Sequence, residues 1–386
     1  MTDPLKKVSR YIEQMIAIKE SIIANIVFIG QEPAPTFQEE KRGDLFLERL
    51  MEENVDECTR DGFQNPIGII RGTDRDKPPI FVAAHMDTPF SADVSHNFTV
   101  AQDTIVGAGI LDNSIGVGAL ASLPLIFKTL DLRFRSDIVL AGVIQSIGKG
   151  NLMGIRHLVQ TWSTPIRGAV VIEGGEIGRL SYSTLGMIRG EILCSTEVSN
   201  GFEPRFKSNA ILVLNEVINQ ILQLTLPQRP RSRIIFGQMR GGHKHGWIAE
   251  QASLGLEIQS DSDEMVQKLY ADISDIVEET KQAYEVDLTL EIISNLNASK
   301  LPYTHPLVQQ AVAVLGALDV KPTMAPSESE LSIFLSHGIP AITVGVTRGR
   351  DYHLQQSEME IQPMFKGLAQ IVALIQAIDS GVCDET

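Results

Sequence analysis

The chain has 386 residues, 43% of them hydrophobic and 21% charged, with a formal net charge of −15 and a pI near 5.0. That length buries a large core and predicts two domains, while the acidic balance excludes a nucleic-acid or anionic-membrane surface as the natural partner. Three scattered cysteines (Cys58, Cys194 and Cys383) with no CxxC pair exclude a disulfide framework and a thiolate metal site, and point to a reducing compartment.

No basic segment leads into an apolar core at the N-terminus, and no apolar run is expected to reach membrane-spanning length. The expected location is the cytoplasm. Val8, Ile12, Ile16, Ile18, Ile22 and Ile23 recur at helical spacing and predict one amphipathic helix over 5–29, stopped by Gly30 and the Pro33–Thr36 break. A second helix is predicted over 38–53, then strand, turn and strand over 56–70.

Pro79-Ile80-Phe81-Val82-Ala83-Ala84-His85-Met86-Asp87-Thr88-Pro89-Phe90 is an apolar run ending in two polar residues that can both handle a metal. Such a run reads as a buried strand, here in a parallel sheet. Ligands bind beyond the carboxyl ends of strands in open α/β sheets, so His85 and Asp87 point into a site and Met86 faces away. On this stretch alone, a His that only bonds its neighbour is an equal alternative.

Beyond a polar excursion containing His96, read as solvated, Val106–Ser114 leads into a small-residue helix over 115–130. Its glycines suit close packing, and no Lys-Ser/Thr pair closes a phosphate loop. Ile138–Ile144 is a buried strand ending at Gln145-Ser146. A Gly-rich turn and a helix carrying His157 follow, then a strand over 168–172 running into Glu173. Alternating strands and helices to about residue 180 describe an α/β sheet domain.

From Gly186 to Ile293 the order is β-α-β-β-α-β, a ferredoxin-like α+β insert. Helices over 305–317 and 330–335, a strand over 340–346 and a closing helix over 363–378 complete the chain. The predicted domains are 1–185 with 294–386, and the insert 186–293.

His85, Asp112, Glu173 and His353 are all expected at or just after strand ends. Imidazole and carboxylate without thiolate is the donor set of a catalytic zinc or similar divalent ion. A two-metal hydrolase needs a bridging carboxylate, a His and a carboxylate for each ion, and a base for the water. Asp112 suits the bridge, His85 and His353 the two ends, and Asp87 can orient His85.

In these motifs the sequence resembles the zinc exopeptidase family of aminoacylase, peptidase T and glutamate carboxypeptidase. His85-Met86-Asp87 matches its His-x-Asp signature, and Gly109–Asn113 resembles the segment with the bridging aspartate. Ile172-Glu173-Gly174 resembles the next ligand strand, and Tyr352-His353 the final His. Ser329–Phe334 with Gly338–Ala341 resembles its Ser-Asp-x-x-x-Phe and Gly-Ile-Pro-Ala run. The resemblance covers nearly the whole chain and implies an α/β mixed sheet flanked by helices, of zinc-exopeptidase or phosphorylase-hydrolase type, with a lid or dimerisation insert. It implies hydrolysis of a peptide or amide bond in a small peptide or N-acyl amino acid, zinc (manganese or cobalt as alternatives), and a homodimer or higher homo-oligomer.

The departures are specific. Where the family carries two glutamates, a general base and then a zinc ligand, this chain has Gln145-Ser146. Gln145 can hold a water but cannot take its proton, and a neutral Ser146 is a poor ligand. One ion on His85, Asp112 and Glu173 is expected; the second loses its carboxylate. Gly246 and Ala249 replace the lid's Asn and Pro, and Gln259 replaces an arginine that grips a substrate carboxylate. No His occupies 194–200, with His243 or His245 as substitutes or as solvated loop residues. Packing or capping roles are expected for His157 and His337, a substrate contact or surface turn for Arg348 and Arg350, and a substitute base or solvent exposure for Glu176. The competing expectation is an inactive pseudo-peptidase kept for ligand or protein binding.

Overall fold

The computed structural model describes residues 8–197 and 209–384, and the chain divides into two compact units, Met1–Ser183 with Lys300–Thr386, and Thr184–Ser299. The first is built on an eight-stranded mixed sheet. Its order is Glu57–Arg60, Pro66–Ile70, Ile138–Val143, Ile80–His85, Gly168–Glu173, Ala341–Gly345, Arg179–Ser181 and Thr323–Met324.

The four central strands run parallel, and Ile80–His85, Ile138–Val143 and Ala341–Gly345 are buried at every position. Continuous burial explains why these runs are apolar throughout rather than alternating. The strand Pro66–Ile70 is antiparallel to its neighbours, as is Arg179–Ser181 to Ala341–Gly345, while the edge strand Thr323–Met324 is parallel to Arg179–Ser181, so the sheet is mixed. Helices flank it, among them Ile115–Thr129 and Ile361–Ser380.

Two sequence expectations are corrected in this unit. The opening helix is two, Val8–Ile16 and Lys19–Gly30. Ile18 has φ −110° and ψ 19°, which re-aims the second helix so that Ile22, Ile26 and Ile29 enter the core. Helical stretches of membrane-spanning length and apolarity do occur, at Ile110–Thr129 and Ile361–Ser380, but most of each is buried inside the unit. They are apolar because protein surrounds them on nearly every side.

The second unit is a four-stranded antiparallel sheet in the order Ser232–Gly241, Gln251–Ser260, Gly186–Ser195, Asp287–Leu296. Helices Ala210–Ile221 and Asp263–Tyr284 pack on it and on each other, giving the β-α-β-β-α-β order of a ferredoxin-like fold. Burial alternates along Gln251–Ser260, the signature of a sheet with one covered face. Ile192, Leu254, Leu256 and Ile258 meet Val213, Val217, Leu269 and Ile273 in its core.

Candidate metal centre

Sheet register brings the first two site residues together. Ile80 pairs Gly168 and Ala83 pairs Val171, so the ends of these neighbouring parallel strands set His85 beside Glu173. Asp112 comes from the turn before the helix Ile115–Thr129. Its φ of −136° and ψ of 83° are non-helical, and the next residue ties the turn to the Glu173 strand through Asn113 Nδ2 donating to the Ile172 carbonyl at 2.8 Å. A Cβ at Gly174 would overlap the Leu111 carbonyl oxygen, so glycine is what lets strand end and turn approach. His353 lies in a loop docked by Tyr352, whose hydroxyl accepts from the Glu176 N–H at 2.9 Å.

The distances follow. His85 Nε2 is 3.3 Å from Asp112 Oδ1 and 4.0 Å from Glu173 Oε2, and His353 Nδ1 is 4.0 Å from Asp112 Oδ2. Asp112 thus faces one histidine with each oxygen. His85 is buried, whereas the His353 side chain is 84% exposed.

His85 Nδ1 sits 3.0 Å from the Asp87 carbonyl and 3.4 Å from Asp87 Oδ1. That assigns a proton to Nδ1 and turns Nε2 toward the other carboxylates. Asp87 is itself held by three donors on Oδ2: the Thr36 hydroxyl at 2.8 Å and the backbone N–H groups of Ser146 at 3.0 Å and Ile147 at 2.8 Å.

The electrostatics are those of a crowded anionic pocket. Burial alone would lower the His85 pKa, but hydrogen bonds to Asp112 and Asp87 and the charges of Asp112 and Glu173 outweigh it and hold the imidazole well above its ordinary range. Burial pushes the Glu173 carboxyl up to about 7, opposed by His85 and reinforced by Glu330 and Asp112. Burial would also raise Asp87, yet His85 and the donors on Oδ2 keep it below the usual carboxylate range.

The donor chemistry fits a divalent cation. One imidazole faces several carboxylates, and among the described residues no thiolate joins them and Glu330 Oε2, buried, has no hydrogen-bond partner. As the side chains stand, no group of three or more His, Cys, Asp or Glu among the described residues is arranged to hold an ion, because His85 and Asp112 close directly on each other. Cation binding therefore requires these side chains to part, with the proton on Nε2 displaced.

Three acidic or basic side chains around the site were not singled out from sequence for any role there. Glu39 is buried and its Oε1 accepts from the Gln145 N–H at 2.8 Å. Arg42, fully buried, donates to the carbonyls of Gly30, Glu32 and Met86; burial lowers its pKa to about 10. Glu330 Oε1 accepts from Ser146 Oγ at 2.6 Å. Gln145 itself has φ 55°, and Ser146 is buried.

Other candidates lie apart from this cluster. His96 is buried, not solvated, with Nε2 3.0 Å from the Ser91 carbonyl; the polar excursion folds back on its own ring. His157 stacks on Phe63, and His337 Nδ1 lies 2.9 Å from the Ile333 carbonyl. Arg350 pairs with Glu358 at 2.8 Å, and Glu176 is exposed. In the second unit His243 and His245 are exposed, while Gln259 is buried and bonded to Arg233 and Glu257. Of the 194–200 stretch, 198–200 lie outside the described residues.

No protein-family model and no curated protein sequence matches the chain, but solved structures do. The dipeptidase Dug1p of Saccharomyces cerevisiae superposes with a TM-score of 0.79 over 98% of this chain and 99% of its own, at 12% identity. The aminopeptidase PepT of Bacillus cereus gives 0.70 over 93% and 98%, at 15% identity. The chain has the fold of these peptidases. The Bacillus subtilis protein YXEP, described as a dinuclear metal-binding peptidase of the M20 family, aligns with a TM-score of 0.61 over 92% and 98%, at 13% identity. At these identities the likeness is one of fold, and the chemistry rests on the residues described above.

Proposed function

We propose that the chain is a metal-dependent hydrolase of peptide or amide bonds in small substrates, of exopeptidase or amidohydrolase type. The observation that carries this reading is the meeting of His85, Asp112, Glu173 and His353, from four separate segments, at separations of 3.3–4.0 Å. His85, Asp112 and Glu173 would hold one divalent ion, zinc by its donor set. That ion would supply Lewis-acid polarisation of the scissile carbonyl and of a water.

The chain's own residues do the rest. Asp87 fixes the His85 ring and its Nδ1 proton. Gln145, anchored by Glu39 through its backbone, offers an amide that orients a water without accepting its proton. His353 and Asp112 Oδ2 frame the side facing solvent. The insert 186–293 serves as a lid or dimerisation domain in a cytoplasmic homo-oligomer.

Elemental analysis after zinc, manganese or cobalt loading, paired with dipeptide and N-acyl amino acid turnover, tests the reading. At least one ion per chain is expected, lost in His85→Ala; a protein that takes up no metal and turns nothing over overturns it. Restoring a base with Gln145→Glu is expected to raise turnover by roughly 10²-fold or more.

A second reading, a binding protein on a retired peptidase scaffold, is favoured by the missing carboxylates at Gln145-Ser146. Metal bound without turnover of any tested substrate supports that alternative.

A further inference from the structure

Glu330 has no part in the reading above, yet its situation is unusual. It enters from the segment before the helix Leu331–Ser336 and is 1% exposed. Oε1 is engaged by the Ser146 hydroxyl, while Oε2 finds no hydrogen-bond donor among the described residues. Buried carboxylates are normally paired or bound to metal, because leaving an ionised oxygen in a low dielectric costs several kcal/mol. Glu330 and Asp112 both act on Glu173 as like charges, against the cations His85 and Arg179, and Glu173 already shares His85 with Asp112.

The segment is also firmly seated. Ser329 Oγ lies 2.9 Å from Ser327 Oγ and 3.2 Å from Thr343 Oγ1 on the central sheet, and Ser332 Oγ donates to the Ser329 carbonyl at 3.0 Å. A fixed carboxylate with one unpartnered oxygen, held against the loop that follows a central strand, is built to meet a positive charge.

We propose that Glu330 is a cation ligand of this centre, supplying across space the carboxylate that Gln145-Ser146 does not carry, with the Ser146 hydroxyl orienting it. The proposal rests on the metal-dependent reading, since both need a cation at the site. It goes beyond that reading by assigning a second cation to Glu330 and Asp112, at a position whose local sequence offers only a hydroxyl.

Metal content separates the two ideas. Wild-type chain and Glu330→Gln are loaded with cobalt or zinc, freed of excess metal, and analysed for bound ion and for the visible absorption of the cobalt form. The expected result is about two equivalents in wild type and about one in Glu330→Gln, with an altered cobalt spectrum. Two equivalents in both, or one in wild type, overturns the role of Glu330 and leaves the hydrolase reading standing. None in wild type overturns both.

Circular dichroism establishes that Glu330→Gln is folded. Should it not fold, the exchange Ser146→Glu with Glu330→Ser moves the carboxylate from one side of the contact to the other. That protein is expected to keep about two equivalents; a stoichiometry of one overturns the proposal.

Discussion

Removing the Asp87 carboxylate is the sharpest test of how the site is held, because one oxygen gathers three donors from two other segments. Oδ2 accepts from Thr36 Oγ1 at 2.8 Å, Ser146 N at 3.0 Å and Ile147 N at 2.8 Å, and the residue is fully buried. A hydrogen bond to a charged group contributes about 1.5–3 kcal/mol. Three at the low end, discounted because they share one atom, put the loss in Asp87→Ala at about 4 kcal/mol. Asp87→Asn keeps shape and an acceptor oxygen but gives up the charge, so a loss of about 2 kcal/mol is expected. Urea unfolding in EDTA measures both without metal linkage. In the metal-loaded protein, Asp87→Asn is expected to weaken binding roughly 10- to 100-fold through the loosened His85 ring. An alanine variant within about 1 kcal/mol of wild type would refute the reasoning, since the two backbone N–H groups would then have found other partners.

Metal-free stability should fall as pH rises from about 5 to 8. Glu173, at about 7 against an ordinary 4.5, and His85, held well above 6.5, both make the folded state bind protons that the unfolded state has released; Glu173→Gln should flatten the lower half of that slope in thermal melts, and a melting temperature that rises over this range contradicts it. Gly174→Ala should lower metal affinity about tenfold in a chelator competition, because its Cβ meets the backbone of Leu111 beside Asp112. Ser146→Glu alone should destabilise the metal-free protein by placing a second carboxylate against Glu330, and Glu330→Ser should rescue it. Urea unfolding of the four proteins in that cycle gives the coupling, and a value near zero means the two side chains do not meet.

The strands were legible because burial on both faces leaves an unmistakable apolar run. Ile80–His85 and Ile138–Val143 fall within about a residue of where their composition puts them. His85 and Glu173 were legible for the same reason, as polar residues at the ends of such runs. Asp112 was marked by its donor chemistry and by the resemblance of its flanking residues, but the irregular turn that carries it, where a strand end was expected, was not legible. Arg42 reads as an ordinary charged position on an amphipathic helix. Nothing local says that it is buried against three carbonyl groups, because those acceptors belong to Gly30, Glu32 and Met86. Glu330 is the extreme case: its partner Ser146 is 184 residues away in sequence. His96 was misread because a polar stretch says nothing about whether it folds back over its own histidine.

Residues 145–147 form a loop with no acid of its own that is surrounded by acid. Gln145 offers its N–H to Glu39, Ser146 its hydroxyl to Glu330, and Ser146 and Ile147 their N–H groups to Asp87. Three carboxylates from three other segments therefore close on a stretch that has none. Three of these donors are backbone N–H groups that any residue would offer, and the Ser146 hydroxyl is the one donor that a glutamate side chain would not supply. Two extra carboxylates here, with no cation to share, would face Glu39, Asp87 and Glu330 at low dielectric, where like charges a few ångströms apart repel by about 4 kcal/mol at an effective dielectric of 20. The serine at 146 and the burial of Glu330 are in this sense one feature. A serine at 146 lets the chain bury Glu330 against it. Glu330 thereby sets a carboxylate against a loop that has none of its own.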